Sequence, residues 1–189
     1  GVWAGGAGTV VGGHGSLARA WACARVQGDL GALRVLRYDR RGYGRSLGTG
    51  PATDLAEQVR DLRRVVGAEP AVLVGHSLGG VLALALADHH PALVRAVVAY
   101  EAPMPWARWW PSSTAGSVAV DGTDAAPAPD PAQAAAAAER FMRRMVGDDR
   151  WEALPARTRE QRLAEGPALL ADLHALRREQ PPYDPASVQ

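Results

Sequence analysis

The feature that most constrains the fold is the segment Gly75–Gly80, with the sequence Gly-His-Ser-Leu-Gly-Gly. An apolar run, Ala71 to Val74, precedes it, and a helical pattern follows from about Leu78 to Asp88. Glycines on either side of Ser77 permit a sharp strand-to-helix turn that presents the serine hydroxyl. The free N–H groups at the start of such a helix favour a developing oxyanion. The alternative is a tight glycine turn that packs helix on strand and carries an incidental serine.

Strand and helix patterns alternate through the rest of the first half. Further strands are predicted at Gly8 to Gly13, Leu33 to Tyr38 and Leu93 to Tyr100. Helices are predicted from about Leu17 to Val26 and through the apolar positions Leu55 to Val66, the second capped by Thr53 or Asp54. Short apolar strands separated by helices predict an α/β fold with a mostly parallel sheet and helices on both faces.

The pattern changes after Glu101. Residues 103–131 are rich in Pro, Ala and Gly, and no further strand is predicted beyond them. Helices are expected from about Pro131 to Met145, with Asp130 as cap, and from Ala156 to Arg178 with an interruption at Gly166. We therefore predict a partial α/β core over residues 1–102, a helical cap or lid over 103–180, and a linker over 181–189 that leads toward a C-terminal core outside the chain.

Composition narrows the classes of partner. The 189 residues carry a net charge of +1, which gives no electrostatic reason to expect a nucleic acid or an anionic membrane surface. No apolar run approaches the roughly 18 residues of a membrane span, and the single cysteine excludes an intrachain disulfide framework. We expect a small apolar or neutral substrate, no metal, and a cytoplasmic location. The oligomeric state is left open.

Ordered motifs give the chain its resemblance to a known family. His14-Gly15 follows the first strand, the loop Tyr38–Ser46 reads Tyr-Asp-Arg-Arg-Gly-Tyr-Gly-Arg-Ser, and Gly75–Gly80 comes next, followed by Tyr-Glu-Ala-Pro at Tyr100–Pro103. In this order the motifs resemble the α/β-hydrolase superfamily, in its serine hydrolase branch with a helical cap. The resemblance implies an incomplete version of that fold, Ser77 as nucleophile, and esterase-like acyl transfer to water without a cofactor.

The remaining site residues are placed around this serine. The backbone N–H groups of Ser16 and Leu78 are the predicted oxyanion hole. Glu101 ends the strand after the Ser77 helix and is the candidate catalytic acid, with a structural carboxylate as the alternative. Three tryptophans would either line an acyl pocket or join the lid to the core: Trp106, Trp109 and Trp110.

The chain departs from the family pattern in its histidines. A base histidine is expected after the last strand, yet none of the five histidines occupies such a position. We therefore predict a fragment truncated at both ends, beginning with Gly1 instead of Met and nearly inactive alone. Two alternatives are a non-catalytic binding protein of the same fold, and a triad of Ser77, Glu101 and His174 within the chain.

Overall fold

The computed structural model describes residues 8–23, 27, 30, 33–107, 110, 130–178, 181–184 and 186–187. Its four strands are β1 (Thr9–Gly13), β2 (Arg34–Arg37), β3 (Ala71–His76) and β4 (Val94–Tyr100). Its helices are α1 (Leu55–Val66), α2 (Leu78–His89), α3 (Pro131–Val146), α4 (Asp148–Glu152), α5 (Ala156–Ala164) and α6 (Gly166–Arg178). Short 3₁₀ turns lie at Ala20–Cys23, Gly44–Thr49 and Pro91–Leu93.

The four strands form one parallel sheet in the order β2-β1-β3-β4. The parallel α/β sheet predicted from the sequence is therefore confirmed. In its register Gly13 lies beside Gly75, and His76 lies beside Tyr100. Because parallel strands end at the same edge, the segments that follow β1, β3 and β4 meet there. That edge is where Ser77 lies.

Most predicted helices are present within a few residues. Asp54 caps α1 by accepting the Glu57 N–H at 2.6 Å, and Asp130 caps α3. The prediction of a helix from Leu17 is wrong over Leu17–Cys23, and residues 24–26 lie outside the described residues. Leu17 has a φ of 53°, which breaks a right-handed helix, and Asp39 accepts the Ala20 N–H at 2.8 Å. A single 3₁₀ turn, Ala20–Cys23, is formed instead.

The main core lies between the sheet and helices α1 and α2. Leu73 and Leu82 are fully buried in it, and Tyr183 from near the end of the chain packs into the same core. The expectation that helices cover the strands on both faces is wrong for β4. Val98 and Tyr100 are 54% and 63% exposed, because in the part of the chain that the structure describes β4 is an edge strand with little packed beyond it.

A second apolar cluster joins the later helices to the loops at the sheet edge. It contains Leu17, Tyr43, Ala138, Ala168, Leu169 and Leu173. Helix α6 belongs to both cores, since its Ala175 and Leu176 lie in the main one. The second half of the chain therefore packs directly on the segments that surround Ser77. The division into core, lid and linker stays a prediction.

Candidate active site

Ser77 joins β3 to α2 in a backbone conformation that non-glycine residues rarely adopt. Its φ and ψ are 53° and −128°. Its N–H donates to the Tyr100 carbonyl at 2.8 Å, and its own carbonyl accepts the Gly80 N–H at 2.8 Å. Hydrogen bonds on both sides hold the strained residue in place. Such outliers cluster at functional sites, where strain presents a side chain in a required direction.

The glycines around Ser77 are required by close packing. A Cβ on Gly75 would lie 2.3 Å from the Gly79 carbonyl oxygen. A Cβ on Gly79 would lie 2.4 Å from the Gly13 carbonyl oxygen. The start of α2 therefore sits against the ends of both β1 and β3, and only glycine permits that approach.

The loop after β1 lies directly against the serine. A Cβ on Gly15 would be 2.8 Å from the Ser77 Cβ and 3.3 Å from its Oγ. Residues 15–18 form a turn in which the Ala18 N–H donates to the Gly15 carbonyl at 3.3 Å, with Leu17 left-handed. This conformation costs a non-glycine residue roughly 1–2 kcal/mol. Burial of the Leu17 side chain in the second cluster offsets that cost.

The backbone N–H groups of Ser16 and Leu78 belong to residues that adjoin the contact between Gly15 and Ser77. Leu78 is the first residue of α2, so its N–H has no partner within the helix. Ser16 lies in the turn beside Gly15, which touches Ser77. The structure thus brings the segments that hold both predicted oxyanion donors to the same serine, while their role as an oxyanion hole stays a prediction.

His14 is buried and holds the loop that follows β1. Its Nδ1–H donates to the Gly15 carbonyl at 2.7 Å, and its Nε2 accepts the Arg40 backbone N–H at 2.8 Å. Burial, and then the neighbouring Arg40 guanidinium, lower the pKa of His14 from 6.5 to about 3. The ring is therefore neutral at neutral pH with both nitrogens occupied, which leaves it unable to act as a base toward Ser77.

A buried polar cluster connects this loop to α6. Asp172 Oδ2 accepts the Ser16 hydroxyl at 2.7 Å and the Tyr43 hydroxyl at 2.6 Å, and Arg40 Nη2 donates to it at 2.8 Å. Asp172 Oδ1 accepts the Gln58 amide at 2.9 Å and Arg40 Nη1 at 3.1 Å. Arg40 also bonds to the Gln58 side-chain oxygen and, through Nε, to the His14 carbonyl at 3.0 Å. We call these side chains the Asp172 cluster: Ser16, Arg40, Tyr43, Gln58 and Asp172.

The charges of this cluster balance inside the protein. Burial alone raises the pKa of Asp172, but the charge and hydrogen bonds of Arg40, with those of Tyr43 and Ser16, outweigh it and lower the pKa below 3.8. Burial would likewise lower the pKa of Arg40, and Asp172 reverses that effect. The pair is thus ionised at neutral pH and holds its neighbours through charge-assisted hydrogen bonds.

The sequence analysis did not single out Asp172 or Gln58. Each lies on the apolar face of its helix, where a polar side chain is unusual. Gln58 lies between Leu55 and Leu62, and Asp172 between Leu169 and Leu176. The helical period assigns both positions to the core, and a polar residue at such a position could have indicated a buried polar site. Arg40 joins the loop after β2 to the His14 carbonyl and to Asp172.

Glu101 follows β4 at the same sheet edge and also has a positive φ, 50°. Its side chain is 65% exposed, and its Oε2 lies 3.8 Å from His76 Nε2. On a regular strand, the side chains of His76 and Ser77 would point to opposite faces of the sheet. Instead, a Cβ on Gly15 would lie 3.4 Å from His76 Nδ1 as well as 3.3 Å from Ser77 Oγ, because the positive φ of Ser77 breaks the strand alternation. Glu101 as catalytic acid stays a prediction.

Two further histidines lie elsewhere. His89 ends α2, a helix about 18 Å long that starts beside Ser77, and it is half exposed beside Asp88. His174 is two residues beyond Asp172 on α6, or roughly 200° around the helix. The helix face that reaches the Ser16 loop is therefore a different one from the face that carries His174.

The predicted aromatic pocket is only partly described. Trp106 is half-buried against the main core and meets Tyr183 edge to face, with ring centroids 6.0 Å apart. Trp110 lies one turn further on, where its backbone N–H donates to Ala107. Trp109 lies outside the described residues. A pocket-lining role for these side chains stays a prediction.

The described positions contain neither a metal-binding cluster nor a membrane-spanning helix. No group of three or more His, Cys, Asp or Glu side chains in these ranges could hold a metal ion. No helix among the same residues combines the length and the apolar character needed to cross a bilayer.

Comparison with known proteins identifies relatives for part of the chain. It is 41% identical over 71 residues to "Putative carbamate hydrolase RutD" of Yersinia enterocolitica, covering 35% of this chain and 26% of that protein. It is 37% identical over 84 residues to homoserine O-acetyltransferase of Thermus thermophilus, covering 43% of this chain and 22% of that protein. The chain thus matches about a quarter of the length of these curated relatives.

Solved structures resemble the chain over most of its length. A hydrolase from Pseudomonas aeruginosa PA01 has a TM-score of 0.61 at 20% identity, over 92% of this chain and 65% of that one. The type II thioesterase BorB from the borrelidin biosynthetic cluster has a TM-score of 0.61 at 18% identity, over 95% of this chain and 67% of that one. These likenesses show the fold. Residues 6–184 match the model of the alpha/beta hydrolase family. With this match over almost its whole length, the chain belongs to the α/β-hydrolase family.

Proposed function

We propose that this chain carries the nucleophile of a serine hydrolase that cleaves neutral acyl compounds, esters foremost, through Ser77. The observation that carries the proposal is the strained Ser77 backbone at the junction of β3 and α2, with the Gly15 loop in contact with its side chain. The hydrolase names among its relatives support the reaction class without choosing a substrate.

The reaction follows from the groups around Ser77. The Ser77 Oγ attacks the acyl carbonyl carbon while its proton passes to a base, and the carbonyl π electrons move onto oxygen. The N–H groups of Ser16 and Leu78 hold that oxyanion. The intermediate then expels the alcohol, which takes up the proton, and water hydrolyses the acyl-serine to release the acid and regenerate Ser77.

We infer that the base comes from outside these 189 residues. His14 is neutral and occupied, His89 and His90 lie at the far end of α2, and His174 faces away from the Asp172 side of α6. His76 forms no hydrogen bond with the neighbouring Ser77 among the described residues, and its Nε2 lies 3.8 Å from Glu101 Oε2. Without a base the serine is a weak nucleophile, so we expect the chain alone to react slowly. Loss of a triad member lowers kcat by about 10⁴- to 10⁶-fold.

A fluorophosphonate probe tests this proposal. The 189-residue chain and the complete gene product are each incubated with the probe, and modified peptides are identified by mass spectrometry. We expect rapid labelling of Ser77 in the complete product, slow labelling in the chain alone, and none at this position in Ser77→Ala. Ser187→Ala, at an exposed serine bonded to Asp88, is the matched control and should label as the parent does.

Different outcomes contradict different parts of the proposal. A complete product that hydrolyses p-nitrophenyl acetate equally well with Ser77→Ala would remove Ser77 as nucleophile. A complete product unreactive toward both reagents would favour a non-catalytic binding protein. Strong labelling of the chain alone, lost in His174→Ala, would place the base within these residues. For the acid, Glu101→Gln should lower kcat of the complete product by about 10⁴-fold, and an unchanged kcat would assign Glu101 a structural role.

A further inference from the structure

The described part of α6 contacts the loop after β1, which contains Ser16, through the Asp172 carboxylate. Asp172 accepts the Ser16 hydroxyl at 2.7 Å, although 156 positions separate the two residues in sequence. Ser16 is the residue whose backbone N–H is assigned to the oxyanion hole, and Gly15 before it touches Ser77. The carboxylate therefore bonds to the side chain of the same residue whose main chain is assigned to bind the intermediate.

The position of this carboxylate is itself fixed. Arg40 bonds to both of its oxygens, Tyr43 to one and Gln58 to the other, and Asp172 is only 2% exposed. A carboxylate held by partners on both oxygens cannot rotate without breaking charge-assisted hydrogen bonds. The Asp172 carboxylate is thus fixed in place, so its hydrogen bond restrains the position of Ser16.

The same cluster holds the loop at a second point. Arg40 Nε donates to the His14 carbonyl, two residues before Ser16. On the other side of Ser16, the left-handed Leu17 lies in the same buried apolar cluster as Ala168, Leu169 and Leu173 of α6. The loop is therefore held at three positions. Arg40 holds His14, Asp172 holds Ser16, and the apolar cluster that includes α6 residues holds Leu17.

We propose that Asp172 is a positioning residue that aims the Ser16 backbone N–H at the oxyanion. This inference rests on the proposed function, since it assumes acyl chemistry at Ser77. Asp172 touches no reacting atom and acts through Ser16 and Arg40. Oxyanion stabilisation depends steeply on donor placement, so release of Ser16 lowers the rate of the chemical step while ester binding is little changed.

The test compares two buried carboxylates in the complete gene product. Asp172→Asn removes the charge that holds Ser16 and Arg40. The matched control is Glu165→Gln, which removes a carboxylate of similar burial that bonds to Arg19, Arg162 and the Gly44 N–H instead. Both variants should unfold at lower urea concentrations. We expect only Asp172→Asn to lower kcat for p-nitrophenyl acetate, by about 10- to 100-fold, with KM within about twofold.

A milder variant guards against loss of the fold. Ser16→Ala keeps the backbone N–H and leaves Asp172 with its other partners, so the buried charge stays paired. We expect a kcat loss of about tenfold, a similar slowing of Ser77 phosphonylation, and an unfolding midpoint near that of the parent.

The outcomes separate this inference from the proposed function. If Ser77 in the parent is unreactive, the proposed function fails and the role of Asp172 falls with it. If the parent is reactive but Ser16→Ala keeps its kcat, Asp172 is structural and only this inference fails. Equal kcat losses in Asp172→Asn and Glu165→Gln would also refute it, because general loosening of the later helices would then explain both.

Discussion

Acidification should destabilise this fold through one buried side chain, His14. The ring is 1% exposed, and its two nitrogens bond to the Gly15 carbonyl and to the Arg40 backbone N–H. Protonation places a second cation beside Arg40 and removes the acceptor that the Arg40 N–H requires. The unfolded chain binds this proton readily, whereas the folded chain resists it.

The magnitude follows from the two pKa values of His14, 6.5 when unfolded and about 3 when folded. Between them the unfolded state binds more protons, so stability falls with falling pH by about 1.4 kcal/mol per unit. The loss begins as the pH drops through about 6.5 and is complete near 3. At pH 5 it amounts to about 2 kcal/mol relative to pH 8. The fold also lowers the pKa of three carboxyl groups below 3.8, those of Asp39, Asp88 and Asp172, and these contribute little to a stability difference between pH 5 and pH 8.

Urea unfolding at pH 8 and pH 5, followed by tryptophan fluorescence, measures this difference. His14→Gln is the test variant, since glutamine does not titrate. The substitution itself lowers the free energy of unfolding at both pH values. The quantity compared is therefore the change in that free energy from pH 8 to pH 5, in the variant and in the parent. We expect the variant to lose about 2 kcal/mol less than the parent on moving to pH 5. Gly48→Ala, which changes no titratable group and meets nothing within 4 Å, should behave as the parent does.

The reasoning is refuted if His14→Gln and the parent lose the same free energy between pH 8 and pH 5. An NMR titration in which His14 takes up its proton near pH 6 in the folded chain would contradict it equally, because the ring would then be no harder to protonate in the fold than outside it.

Three further substitutions have defined outcomes. Gly75→Ala places a Cβ 2.3 Å from the Gly79 carbonyl and should cost more than about 3 kcal/mol or prevent folding, whereas Gly48→Ala, which meets nothing within 4 Å, should change stability little by thermal denaturation. Asp54→Ala removes the cap of α1 and should lower the free energy of unfolding by about 1 kcal/mol in urea. Tyr183→Phe removes a buried hydroxyl without a hydrogen-bond partner among the described residues and should raise it by about 1 kcal/mol, so a loss of stability would show that the hydroxyl is bonded.

The Ser77 turn was predictable because its determinants are local. A strand, a serine between glycines and a helix lie within about 20 consecutive residues, and the glycines report close packing that no other residue permits. The parallel sheet was predictable for a similar reason, since each buried strand is a short apolar run beside a helical pattern. Exposure of β4 was not, because an apolar run does not distinguish a central strand from an edge strand.

The Asp172 cluster depends on contacts that short patterns do not contain. Arg40 and Asp172 are 132 positions apart, and nothing in either local segment identifies the other. The turn at Leu17 was missed for the same reason. Its left-handed backbone is stabilised by α6, whereas the residues around it alone favour a helix.

The separation of Ser16 from Asp172 also has a consequence during synthesis. At about 5–20 residues per second, a ribosome needs roughly 8–30 s to polymerise the 156 positions between them. The Ser77 turn and its glycines are polymerised within that interval, while Ser16 and Arg40 still lack their buried counter-charge, Asp172. A nascent chain of this protein thus completes the Ser77 turn before the loop around Ser16 can acquire the contacts that fix it in the folded chain.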